Sequence, residues 1–196
     1  MSLVERVKRI CLSPDSEWSV IDGESASTPM LLSGYVVPLA GASALAAFIG
    51  ESIVGRSLTY FGTTYRVPVG TGLAMAVMSV ALTVVAVVAC SMIIDALAPT
   101  FGAHRSHSQA MKVASYAPTP AWVAGIFRMF PSLGIITLIG GLYALYLLFR
   151  GLPRLMKCAQ EKAFGYTAVV LLCVIVFGVI VNMISGALLG SIAGVF

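Results

Sequence analysis

Few side chains in this 196-residue chain are of types that do chemistry, and their spacing suits it poorly. His104 and His107 stand three apart, as two metal ligands on one helical face would. No further His, Cys or carboxylate accompanies them at a recognised ligand spacing. Asp95 lies near the end of an apolar run, and a carboxylate inside a membrane is a functional candidate by default. Its neighbours Pro99, Arg105 and Lys112 favour hydration, or an ion pair with Arg105 or Lys112, over a buried role. There is no Ser-His-Asp or HExxH arrangement, no Walker glycine loop and no carboxylate pair at glycosidase-like spacing. No catalytic residue, metal or cofactor is therefore assigned, and an enzyme is not expected. The alternative is a small-solute or ion pathway. It would use Asp95, Arg128 and Asn182 together with the breaks that Pro118, Pro120 and Pro131 put into one apolar segment.

The elements that must position these residues are membrane helices. Hydrophobic residues make up 59% of the chain and charged residues 10%, with a mean hydropathy of +0.97. Soluble domains average about 45–50% apolar and about 25% charged. No polar stretch is long enough for a second, water-soluble domain. The net charge of +4 sits beside apolar runs and reads as topology and headgroup contact, with no nucleic-acid partner. Four cysteines without CxxC spacing indicate neither a disulfide framework nor a zinc site.

Residues 1–29 form an interfacial N-terminal segment. Leu3, Val7, Ile10 and Cys11 recur at helical spacing opposite Glu5, Arg6, Lys8 and Arg9, which predicts an amphipathic helix along the membrane surface. Ser13-Pro14-Asp15 predicts a second helix, with Ser13 as N-cap and acidic residues at the positive end of the dipole. Trp18 is its expected headgroup anchor, with a partner-binding helix as the alternative. The segment lacks the layout of a cleavable signal peptide, so the first span is expected to remain as an anchor.

Residues 30–196 form an all-α, polytopic bundle. Uncharged runs place spans at about 30–50, 69–97, 112–130, 132–149 and 164–190. Between the first two, Thr63, Thr64, Tyr65 and Val67 give a polar loop some β character. The third segment is ambiguous: a proline-broken span, a re-entrant segment, or part of one long helix from Ala121 to Phe149. The distribution of Lys and Arg arbitrates. Five spans with a cytoplasmic N-terminus put nine of the twelve basic residues inside and three (Arg56, Arg66, Arg128) outside. Four spans give five against six. A re-entrant segment keeps the nine-to-three count but strands Arg128 at mid-depth, at a cost of at least about 2.5 kcal/mol unless it is paired. Five spans, with an exterior C-terminus, are the better solution. Arg128 then shares the outer face with Glu51 and can pair with it.

Two features of the last third are candidates for contact. Arg150, Arg154, Lys157 and Lys162 form a basic turn between the fourth and fifth spans, suited to anionic headgroups or a partner. Gly178, Asn182, Gly186, Gly190 and Gly194 recur every four residues, a small-residue stripe that admits a close helix. That helix could belong to this chain, to a second copy in a homo-oligomer, or to another membrane protein.

LAPTFG (Leu97 to Gly102), YAPTPAWVAG (Tyr116 to Gly125), LYALYLLFRGLPRLMK with the following EKAFGYT (Leu142 to Thr167), and the opening LVERVKRICLSPDSEWSVIDGE together resemble the Yip family. These are five-span membrane proteins named for interaction with Ypt and Rab GTPases, and the likeness is greatest to the bacterial branch. The resemblance covers nearly the whole chain. It implies five helices, a cytoplasmic N-terminus and an exterior C-terminus, in a bacterial inner membrane. For eukaryotic members it implies vesicle trafficking, membrane shaping and GTPase recruitment through a longer N-terminal region; for bacterial members it implies no named activity. The expected role is non-enzymatic membrane organisation or scaffolding through helix, lipid or protein association.

Overall fold

Charge and proline, more than helix propensity, punctuate this chain. A computed structural model of the protein describes residues 2–58, 63–130 and 133–192. Helices α1 (Leu3–Leu12) and α2 (Pro14–Gly23) precede a continuous helix over Thr28–Val54. Its α-helical parts are α3 (Thr28–Leu31) and α4 (Val37–Phe48), separated and followed by π-helical turns at Leu32–Val36 and Ile49–Val54. Strands β1 (Arg56–Leu58) and β2 (Thr63–Tyr65) pair antiparallel, with Ser57 opposite Thr64. Helix α5 (Val69–Leu97) runs into a 3₁₀ turn, and α6 (His107–Tyr116), α7 (Thr119–Gly125), α8 (Gly134–Leu155) and α9 (Gln160–Ile192) complete the bundle.

Among the described residues, three helical stretches are long and apolar enough to cross a membrane: Thr28–Val54, Val69–Phe101 and Gly134–Leu155. The first, second and fourth predicted spans fall on them. The fifth, 164–190, falls within the 33-residue α9. The third, 112–130, is not one helix. Helix α6 stops at Tyr116, because Pro118 has no N–H to bond the preceding turn, and α7 restarts with Pro120 in its first turn. A 3₁₀ turn at Ile126–Met129 ends it. Short α7 lies between α4 and α8 and touches both.

That contact is made by small residues. A Cβ on Gly125 would collide with the Ser43 side chain, and one on Gly140 with Ala124 and the Pro120 carbonyl. Close backbone approach of this kind is how apolar helices associate where the hydrophobic effect offers little. The predicted stripe from Gly178 to Gly194 is a different matter: Gly194 and the side-chain surroundings of the whole stripe lie outside the described residues.

The two π-helical turns serve the same packing. An extra residue in one turn rotates the rest of the helix about its axis, and such turns gather at functional or closely packed points. The first directs Tyr35 inward, where its hydroxyl meets Thr119 Oγ1 at 2.8 Å and its ring stands edge-on to Tyr116 with centroids 4.6 Å apart. The second brings Glu51 to Arg128, at 3.1 Å.

Caps differ from the predicted ones in detail. Ser13 occupies the N-cap position of α2 but its side chain makes no capping bond. Helix α1 is capped by Ser2, whose Oγ accepts from the Glu5 amide at 3.2 Å, and α6 by Ser106.

Candidate functional site

The polar end of the bundle is closed by α1 and α2, which pack on α7 and α8. Their apolar sides face the protein. Ile10, Trp18 and Ile21 are fully buried, with Leu3, Val7 and Cys11 packed around them. Burying side chains of this size contributes about 1.5–3 kcal/mol each, enough to hold the pair of helices down. The amphipathic stripe is therefore legible in the sequence, but its partner is the chain's own helix end. Trp18 needs correction in the same sense. Its ring lies against Gly151 of α8, where a Cβ would stand 2.5 Å from the indole, so it is not exposed to headgroups.

A buried ionic cluster lies beneath the cap. Arg6 donates to Glu17 Oε1 at 2.5 Å and to both oxygens of Glu24 at 2.5 and 2.6 Å, with its guanidinium 5.6 Å from the Tyr116 ring centroid. Burial works to lower the Arg6 pKa, but the hydrogen bond to Glu24 and the charges around it outweigh burial and raise it. Arg6 is thus a permanent cation holding two carboxylates. Lys112 of α6 completes the arrangement. Its ammonium donates to the carbonyls of Ile21 at 2.9 Å and Glu24 at 2.5 Å and to Gln109 Oε1 at 3.2 Å. It bonds the carbonyl end of α2, where a cation is also favoured by the dipole.

From sequence, Lys112 reads as a topology charge and a partner on offer to Asp95. The structure gives Asp95 to Arg105 instead, at 3.4 Å. Nothing local to position 112 signals the contact, because Ile21 is 91 residues away.

Three members of the predicted basic turn also serve the cap. Helix α8 extends past the predicted end at Phe149, because Leu152, Leu155 and Met156 are buried and hold the turn in place. Arg150 and Arg154 therefore stand on one helical face, four residues apart, and not in a loop. Arg150 donates through Nε at 2.8 Å and Nη2 at 2.5 Å to Asp15 Oδ1. Arg154 donates to the Asp15 carbonyl at 3.0 Å, and Lys157 pairs with Asp22. The chain turns at Lys157, whose φ of 52° is the left-handed conformation that often ends helices. Lys162 has no carboxylate partner among the described residues.

Of the residues named for a polar pathway, Asp95 and Arg128 are not brought together. Glu51 and Arg128 border a small cavity of about 110 Å³ beside Gly72, near the start of α5. Asp95 lies near its end, so about 35 Å of helix separates the two sites at 1.5 Å per residue. The side chain of Asn182 lies outside the described residues. His104 and His107 are exposed, in the loop before α6 and at its first residue.

Comparison with known proteins gives a family and two relatives. The Yip1 domain model matches residues 8–195. The chain is 26% identical over 158 residues to the inner membrane protein YohC of Escherichia coli K12, covering 79% of this chain and 80% of the relative. The YohC of E. coli O6:H1 matches equally. No solved structure matches. With the family model spanning the whole bundle and most of the cap, this chain belongs to the Yip1 domain family.

Proposed function

We propose that this protein is a non-enzymatic, five-span component of a bacterial inner membrane that organises the membrane by association. Its N-terminus and the α8–α9 turn face the cytoplasm and its C-terminus the exterior. The observation that carries the reading is where charge and apolar surface lie. Ion pairs gather at the two ends of the long helices, while exposed apolar side chains such as Leu73 and Val77 on α5, Leu138 and Leu142 on α8, and Leu172 and Ile175 on α9 line their flanks. A surface of this kind suits lipid and neighbouring helices, and the separation of Asp95 from Arg128 favours association over a solute pathway. The α9 stripe is the proposed contact with a second copy or another membrane protein. The relatives' name as inner membrane proteins supports the location.

The experiment is crosslinking in native membranes, combined with native mass spectrometry of the purified protein. A stable homo-oligomer or a reproducible membrane partner is expected, and Gly190→Leu should weaken it. A strictly monomeric, partner-free protein would count against the proposal. Cysteine accessibility tests the topology: Cys158 should label from the cytoplasmic side, and a cysteine replacing Arg66 from the outside.

A further inference from the structure

A groove of about 290 Å³ opens where α2, α8 and α9 meet, lined by Asp15, Phe149, Arg150, Pro153, Arg154, Cys158 and Ala163. Its charges are unequally engaged. Asp15 and Arg150 neutralise one another. Arg154 gives one hydrogen bond to a backbone carbonyl and has no carboxylate partner among the described residues. Lys162 Nζ lies beside Gly102, 3.6 Å from where a Cβ would stand there, next to the Phe101 carbonyl that accepts from the Cys158 thiol. It thus stands at the Cys158 end of the groove, and it too is without a carboxylate among the described residues. The groove is therefore net positive. Its other wall is apolar, and Phe149 continues into the exposed apolar flank of α8 through Leu145 and Leu142.

We propose that this groove binds one anionic diacyl phospholipid, its phosphodiester on Arg154 with Lys162 at the rim, and an acyl chain along Phe149. Rim cations and an apolar wall that leads into the hydrocarbon match the two halves of such a molecule. A free phosphate would use only the first half. Asp15 is neutralised by Arg150, both of whose hydrogen bonds fall on Oδ1, so it attracts the amine of a zwitterionic lipid less than a free carboxylate would. The inference rests on the membrane-association reading but concerns a different surface from the α9 stripe.

The test is native mass spectrometry of the intact protein released from nanodiscs of mixed phosphatidylglycerol and phosphatidylcholine. One retained phosphatidylglycerol is expected. Arg154→Ala and Lys162→Ala should each lower its retention about fivefold, as expected for one cation near an anionic surface. Lys8→Ala, on the exposed face of α1, should change nothing. Arg154 also bonds the cap, so Lys162→Ala and Phe149→Ala carry the test if Arg154→Ala fails to fold. Equal retention of the two lipids by the wild type, or unchanged retention in Lys162→Ala and Phe149→Ala, overturns the site. Displacement of the lipid by millimolar inorganic phosphate overturns its assignment to a lipid. The same spectra report oligomeric state, so the scaffold reading and the lipid site fail separately.

Discussion

The indole of Trp18 occupies the space that any side chain at Gly151 would need, with Cζ2 2.5 Å from the position of a Cβ there. This contact makes an N-terminal segment that reads as a surface arm into the lid of the helix bundle. It is a backbone-to-ring contact, so its sensitivity lies on the glycine side. Gly151→Leu should displace the ring and destabilise the protein by about 1–3 kcal/mol, the usual cost of overpacking. In a Trp122→Phe background the remaining tryptophan emission should shift to the red. Trp18→Phe should cost less, since Trp18 Nε1 has no hydrogen-bond partner to lose.

Arg6 is buried between Glu17 and Glu24, and removing one side of a buried ion pair strands the other. Arg6→Ala is expected to lower stability by about 3–5 kcal/mol, more than any exposed pair in the protein. The pKa of Arg6 is raised in the fold, so its contribution is fully present below its unfolded value and is lost only on passing the still higher folded one. The difference between wild type and Arg6→Ala in thermal or denaturant unfolding should thus stay flat from about pH 6 to about pH 10. A difference that fades at mildly alkaline pH would contradict the assignment.

Asp15 with Arg150, and Asp22 with Lys157, tie α2 to the end of α8, but these pairs are partly open to solvent. Arg150 is 39% and Asp15 51% exposed, which places their coupling at about 0.2–1 kcal/mol. A double-mutant cycle on Asp15→Ala and Arg150→Ala should return a value in that range and shrink in high salt. Lys112→Met should cost more, about 1–3 kcal/mol, because it removes the ammonium's hydrogen bonds to the Ile21 and Glu24 carbonyls.

At the other end of the bundle the side-chain pair is secondary to a backbone contact. A Cβ on Gly50 would collide with the carbonyl of Arg128, whereas the Arg128 side chain is itself 45% exposed. Gly50→Ala should therefore lower the melting temperature clearly more than Arg128→Ala. The reverse order would mean that the Glu51–Arg128 pair holds the two elements together.

Properties that act within a few residues along the chain are legible without the fold. Uncharged runs set the long helices, since length and hydropathy are local, and the predicted span 69–97 coincides with α5. Pro118 and Pro120 break the third segment, because a missing N–H acts on its own turn. The strand at Thr63–Tyr65 and the pairing of Glu51 with Arg128 also agree with the sequence reading.

Folding decides what each polar and small residue meets. Amphipathic spacing in α1 shows that Ile10 faces something apolar, but not whether that is lipid or protein. Lys112 reads as one more positive charge until folding brings it to the carbonyls of Ile21 and Glu24. Gly125, Gly140 and Gly151 have no periodicity in common, yet each admits a neighbour that a Cβ would exclude. One cause underlies all three cases. Periodicity records which side of a helix is apolar, whereas close packing and buried ion pairs depend on partners tens of residues away in the chain.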